Sequence, residues 1–183
     1  MRPANASLES SLRGVRFAVR SELSTASRPT QWRTLLNFTM AEVVLDANVI
    51  VALLYADDSQ HQRAVDLTER LEAEGHSLVL VDFLLFEALS VLCRRAAQRK
   101  TAPPDLAAAI ATMRNWFDGG EVRFLAHEWE RLAASVLDIV TDSAGLLNAN
   151  DALLVALQHE GAIDTLATFD RQFENVAELD LTS

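Results

Sequence analysis

The chain has 183 residues, half of them hydrophobic, which suffices for one domain with a substantial core and is short for two. Its net charge of −10 argues against non-specific nucleic-acid binding through a basic surface, but not against a nucleic-acid substrate held through metal ions. No segment has the roughly 20 apolar residues of a membrane span. The single Cys93 cannot form an internal disulfide, so we expect a reducing, cytoplasmic location, with a secreted protein lacking disulfides as an alternative.

The first 39 residues differ from the rest of the chain. They contain six Arg and two Glu, a net charge of +4, whereas residues 40–183 carry −14, which together give −10. They are rich in Ser and lack a sustained periodic pattern, so we expect them to be disordered. An organelle-targeting peptide has this composition, but we favour a start that is assigned too early, because Met40 immediately precedes the first predicted strand. The functional domain is therefore predicted at residues 40–183.

From Met40 onward the pattern alternates between strands and helices. Asp82 is a suitable N-cap for the second predicted helix, and glycines at 75 and 119–120 mark two helix ends. Strands separated by helices predict a parallel sheet with helices on both faces. The predicted strands are 42–46, 77–81, 121–125, 163–168 and 176–181, and the predicted helices are 60–74, 83–99, 105–117, 128–145 and 148–162.

Four acidic residues stand out because of their surroundings. Asp46 lies inside VVLDANVIVALL at 43–54, the most hydrophobic strand-like segment of the chain. Glu87 has apolar neighbours on its predicted helix, Asp151 opens another helix, and Asp170 follows a strand. The other acids lie on polar helix faces and are expected to be solvated.

Each of the four also has a purely structural explanation. Asp151 would be favoured in a first helical turn by the helix dipole, and Asp170 could cap a turn. Glu87 could pair with one of the two arginines that follow in its helix, and Asp46 could accept hydrogen bonds from backbone amides at the strand end.

The joint pattern of the four acids is more informative than any one of them. In parallel α/β sheets, ligands bind beyond the carboxyl ends of the strands, so one crevice could hold all four. Two carboxylates 4 Å apart repel by about 4 kcal/mol at an effective dielectric constant of 20, so such a cluster would protonate or recruit cations. Oxygen ligands favour Mg²⁺ or Mn²⁺ over Zn²⁺, and such ions can activate water and stabilise charge on a phosphoryl group.

These segments resemble the PIN-domain ribonucleases, and most closely the toxins of the VapC type. The resemblance covers residues 41–183 and rests on VVLDANVIVALL, the Glu87 helix, NANDALLVALQHEGA and LATFDRQF. It implies a three-layer α/β/α sandwich with a five-stranded parallel sheet, and Mg²⁺- or Mn²⁺-dependent hydrolysis of RNA. The resemblance places the metal-binding and catalytic acids at Asp46, Glu87, Asp151 and Asp170, with Asn48 and Thr168 as supporting polar residues.

The same resemblance implies partners. A VapC-type toxin would have a small antitoxin, whose basic C-terminal segment covers the acidic crevice. A homodimer with apolar helix faces in contact is also expected.

Two alternatives remain open. One is a catalytically inert PIN-like module that binds RNA or protein. The other is a haloacid-dehalogenase-like phosphatase, in which a strand-end aspartate is the nucleophile. That class has a second Asp two residues later and a downstream Lys, whereas here Asn48 takes the first position and the only Lys is Lys100, at a polar helix end.

Overall fold

The fold is built around a five-stranded parallel sheet. The computed structural model describes residues 41–98, 105–176 and 179–183; the predicted leader lies outside these ranges. The strands run in the order β3-β2-β1-β4-β5, and every pairing is parallel. This confirms the predicted α/β architecture. The strands are β1 Glu42–Leu45, β2 Ser77–Val81, β3 Val122–Arg123, β4 Thr165–Ala167 and β5 Leu181–Thr182.

Strand β1 occupies the middle of the sheet. Val43 pairs with Leu78 of β2 on one side and with Thr165 of β4 on the other. The chain thus leaves β1 towards one edge through β2 and β3, and reaches the other edge only later through β4 and β5. This reversal of strand order creates a crevice at the carboxyl end of β1, the usual ligand site of such sheets.

In the part of the chain that the structure describes, six α-helices connect or flank the strands. Those predicted at 60–74, 83–99, 105–117, 128–145 and 148–162 are present with bounds shifted by up to three residues, apart from residue 99, which lies outside the described ranges. None of the described helices combines the length and the apolar composition that a bilayer crossing requires. The helices are α1 Ala47–Leu54, α2 His61–Ala73, α3 Asp82–Gln98, α4 Leu106–Asp118, α5 Ala126–Asp142 and α6 Ala149–His159, and a 3₁₀ helix spans Arg171–Asn175.

Helix α1 corrects the reading of residues 43–54 as one strand-like segment. Only the part up to Leu45 is a strand, and the chain turns into a helix directly after Asp46. Seven of the eight helical residues are buried, so the helix lacks the polar face that would give it a 3.6-residue period. Its β-branched run Val49–Val51 also favours a strand by local propensity alone.

The edge strands have two residues each, so β3 is shorter than predicted, and β5 overlaps the predicted strand 176–181 only at Leu181. Residues 177–178 of the predicted last strand lie outside the described ranges. A second correction concerns Asp82, which was predicted to cap α3. It is instead the first residue of that helix, and its carboxylate accepts a hydrogen bond from the backbone N–H of Leu125 at 3.3 Å. The acid therefore ties α3 to the chain that leaves β3.

Candidate active site

Asp46 lies at the carboxyl end of β1 and caps the N-terminus of α1. Its Oδ1 accepts a hydrogen bond from the backbone N–H of Ala47 at 2.6 Å. Its Oδ2 accepts two more, from Asn48 Nδ2 and from Thr168 Oγ1, each at 2.6 Å. The residue is only 6% exposed. The carboxylate is thus held in one orientation by three hydrogen-bond donors. Two of them follow β1 in the chain, and the third follows β4.

Thr168 and Asn48 extend this network along the end of β4. The Thr168 hydroxyl accepts hydrogen bonds from Asn48 Nδ2 and from the backbone N–H of Asp170, both at 3.0 Å. Asn48 Oδ1 accepts from the backbone N–H of Phe169 at 3.0 Å. Both predicted supporting residues therefore contact Asp46, and through them the segment that carries Asp170 is fixed relative to Asp46.

The burial of Asp46 has an electrostatic consequence. The pKa of Asp46 is raised from 3.8 to about 6, and burial is the largest cause. The hydrogen bonds from Thr168 and Ala47 oppose this increase, whereas the negative charges of Asp151 and Glu87 contribute to it. Near pH 7 the carboxylate is ionised in an environment that disfavours its charge, so a cation at this position would be stabilising.

Helix α6 presents Asp151 through a capping box. The Asn148 side chain accepts hydrogen bonds from the backbone N–H groups of Asn150 and Asp151, at 2.8 and 3.1 Å. Asp151 Oδ2 accepts in return from the backbone N–H of Asn148 at 3.0 Å. The next contact reaches another helix, because Asn150 Nδ2 donates to Oε2 of Glu87 on α3 at 2.7 Å. The N-terminus of α6 thereby orients two of the four acids.

The four acids interact electrostatically. Partial burial raises the pKa of Asp151, the hydrogen bond from the Asn148 backbone lowers it, and the negative charges of Glu87 and Asp170 raise it. Since Asp46 is likewise affected by Asp151 and Glu87, Asp151 links the other three. The structure therefore places the predicted acids around one crevice.

The structural explanations also hold for three of the acids. Asp46 caps α1, Asp151 completes a capping box, and Asp170 caps the 3₁₀ helix through a 2.8 Å hydrogen bond from the backbone N–H of Gln172. Glu87 differs, because its carboxylate accepts from Asn150, whereas Arg95 pairs with Asp58. Capping explains the orientation of the three carboxylates but not why four acids share one crevice.

Two residues of this region, Asn148 and Asn150, were not singled out in the sequence. The pattern N-A-N-D has an N-cap residue followed three positions later by an acid, which is a recognisable capping signal. It would have identified Asn148. The contact between Asn150 and Glu87 has no local signature, because the two residues are 63 positions apart.

The acidic side chains at this crevice offer negatively charged oxygen ligands, which suit a hard divalent cation. Within the described ranges, no three His, Cys, Asp or Glu side chains converge closely enough to form a ready-made metal cage. Mg²⁺ is commonly held by one or two carboxylates and keeps several waters, so it does not require such a cage. The residues present therefore fit Mg²⁺ or Mn²⁺ better than a closed structural zinc site.

Comparisons with known proteins point to one family. The family model of the PIN domain matches residues 43–179. Among solved structures, the chain is similar to VapBC2 from Rickettsia felis, crystallised with a DNA fragment from its promoter. The TM-score is 0.54, with 13% identity, covering 77% of this chain and 97% of that one. It is also similar to VapC20 of Mycobacterium tuberculosis, a toxin that cleaves the sarcin-ricin loop, with a TM-score of 0.51 and 21% identity, covering 72% and 92%. A comparison with curated protein sequences finds no match.

Proposed function

The chain belongs to the PIN-domain family, and from this membership we propose that it is a Mg²⁺- or Mn²⁺-dependent endoribonuclease and the toxin of a toxin–antitoxin pair. The observation that carries the proposal is the buried Asp46 carboxylate, whose pKa is raised by burial and by the charges of Asp151 and Glu87. A cation bound beside this ionised carboxylate would stabilise it. Nothing comparable is needed in an inert scaffold, and the family membership argues against the phosphatase alternative.

In this proposal the acids Asp46, Glu87, Asp151 and Asp170 hold the ion. When bound, the ion would activate water and neutralise charge that develops on the phosphoryl group. The protein's own contribution is orientation, because preorganised donors lower the cost of reaching the reactive geometry. Thr168 and Asn48 fix the Asp46 carboxylate. Asn150 holds Glu87, which leaves the carboxylate of Glu87 with a defined direction.

The first test is the replacement Asp46→Asn. We expect loss of divalent-dependent RNA cleavage to the background rate, because the substitution removes one ligand charge with little change in volume. The measurement is cleavage of total RNA by purified protein, with and without Mg²⁺. Asp138→Asn on the exposed face of α5 is the matched control and should cleave like the parent chain. Full activity of Asp46→Asn would refute the site assignment.

A metal titration separates the enzyme from the inert PIN-like module. The proposal expects Mg²⁺ to raise the melting temperature of the parent chain, and this increase should be smaller in Asp46→Asn. An inert module should show the same response in both. This readout does not depend on knowing which RNA is the substrate.

The antitoxin is a second part of the proposal. We expect a small protein whose basic segment places an Arg or Lys at the four acids, where it competes with Mg²⁺. Its inhibition should weaken as Mg²⁺ rises, and its association should slow as salt rises, because opposite charges steer the encounter. If inhibition persists unchanged after that basic residue is replaced by Ala, the displacement mechanism is wrong.

A homodimer is also proposed. Phe86 is 57% exposed and Phe124 is 67% exposed, and each packs on Phe117, so this aromatic group supplies an apolar surface. Sedimentation of the parent chain should give twice the monomer mass. A monomer at high concentration would exclude this part of the proposal.

A further inference from the structure

A polar pocket opens beside the four acids and shares Asp170 with them. Its volume is about 450 Å³, within the range of small-molecule sites, which is about 300–1,000 Å³. It is lined at the end of β4 by Thr168, Phe169 and Asp170. The side chains of Arg63, Arg70 and Arg171 also line it.

The charge of this pocket contrasts with that of the domain. Residues 40–183 carry −14, yet three of the eight arginines in the described ranges meet here. Asp170 and Glu174 are the acids in the pocket wall. If a divalent ion occupies the site that includes Asp170, the pocket becomes a local region of positive charge on an acidic protein.

One wall of the pocket is a cation–π contact. The guanidinium carbon of Arg63 lies 4.4 Å from the centroid of the Phe169 ring. The backbone of Phe169 is held by Asn48, which also contacts Asp46, so Phe169 is tied to the segment that carries the acid. Arginine planes and aromatic rings are the surfaces on which unpaired RNA bases stack.

Arg70 is placed at the far side of the same pocket. Its Nη2 donates to Thr182 Oγ1 at 3.3 Å and to a main-chain oxygen of Ser183 at 3.4 Å. Arg63 and Arg70 are two turns apart on α2, so both project from one face of that helix. Guanidinium groups arranged in this way can contact phosphate oxygens, which accept paired N–H donors.

We propose that this pocket binds one nucleotide of single-stranded RNA adjacent to the bond that is cut. The base stacks on the outer plane of Arg63, which Phe169 backs, and Arg70 and Arg171 contact the flanking phosphates. This inference rests on the proposed ribonuclease function. It identifies where the RNA strand would bind next to the four acids. It also explains how an acidic domain holds a polyanion.

The experiment measures binding apart from cleavage. A fluorescent single-stranded RNA of about 12 nucleotides, within the range of such sites, is titrated with the full chain at several salt concentrations. Ca²⁺ replaces Mg²⁺ so that the oxygen ligands keep a divalent ion, and a gel confirms that the RNA stays intact. We expect Arg70→Gln and Arg171→Gln to weaken binding several-fold and to reduce the salt slope by about 0.7 each, the value for one phosphate contact. Arg63→Lys keeps its charge but loses its plane, so affinity should fall about tenfold with little change in slope.

Arg114→Gln is the matched control, because Arg114 is exposed on α4, which leads to the opposite edge strand β3. It should leave affinity and slope unchanged. Equal binding by the control and the three pocket variants would overturn the proposal. So would equal displacement of the RNA by poly-glutamate and by poly-uridine, which would indicate an acidic protein ligand instead. Binding defects in a chain that never cleaves RNA would refute the ribonuclease function but not the pocket.

Discussion

Asp46 serves the fold and the proposed chemistry with the same carboxylate. One oxygen caps α1, and the other accepts from two side chains, one of which belongs to the segment after β4. Capping by an acid at a helix N-terminus typically contributes about 1 kcal/mol. Burial opposes this contribution whenever the group is ionised. Ionised Asp46 therefore stabilises the fold only when a nearby positive charge compensates for its burial.

Asp46 should make the free energy of unfolding depend on pH. The pKa of Asp46 is about 6 in the folded chain, above its ordinary value of 3.8, so the folded state binds the proton more tightly than the unfolded state. The stabilisation is complete below about pH 4 and is lost as pH rises through about 6, by roughly 3 kcal/mol in total. Urea unfolding in EDTA at intervals between these values measures this loss.

The matched variant for this experiment is Asp46→Asn, which has no titrating group at this position. Its free energy of unfolding should fall less than that of the parent chain over the same pH interval. Added Mg²⁺ should recover stability in the parent chain at neutral pH. Parallel pH profiles for the two proteins would show that the folded chain does not raise this pKa.

At the level of secondary-structure elements, the N-terminus of α6 orients two of the four acids. Its capping box fixes Asp151, and the residue between the two capping partners reaches Glu87. Replacing Asn148 by Ala should lower the free energy of unfolding by about 1 kcal/mol. It should also reduce RNA cleavage, because both acids lose orientation.

Asp105→Ala provides the control for this prediction. Asp105 caps α4 through a 3.0 Å hydrogen bond from the backbone N–H of Ala108, and α4 contributes none of the four acids. A similar loss of stability without loss of cleavage is expected. If the two variants lose activity equally, the effect of Asn148 is general destabilisation and not orientation of the acids.

The helices and strands differ in how well sequence patterns predict them. Helices α2 and α4 have separate apolar and polar faces, and both were predicted with bounds that are close to those observed. Helix α1 was missed because burial on all sides leaves no periodic signal. The two-residue edge strands depend on hydrogen bonds to a neighbouring strand, which local propensity cannot reveal.

Some residues of the site could likewise be predicted from the sequence, whereas some of its contacts could not. Asp46 and Asp170 could be placed from strand ends, because parallel strands bring their carboxyl ends to one edge of the sheet. The hydrogen bond from Asn150 to Glu87 depends on how α6 packs near α3, and the positions of Arg63 and Arg70 beside Phe169 depend on the path of α2. These contacts arise from tertiary packing, which no local spacing encodes.

At the scale of the whole molecule, the boundary near Met40 is testable. The family match begins at residue 43. We expect a chain that starts at Met40 to unfold at the same temperature as the full chain and to cleave RNA at the same rate. Thermal unfolding and a cleavage assay measure both. Loss of the melting transition would place the domain boundary earlier, whereas a change only in cellular location would support a targeting role for residues 1–39.

The pairing of β1 with β4 also determines when the protein can become active. Asp46 and its partner Thr168 are separated by 122 positions, and Asp151 and Asp170 are made late in synthesis. Because translation delivers the N-terminal part first, a growing polypeptide holds Asp46 and Glu87 long before it holds the other half of the crevice. If the chain is the proposed ribonuclease, its crevice is therefore complete only after Asp170 has been synthesised. Messages truncated before codon 151 should yield products that do not harm the cell, whatever part of the sheet they can form.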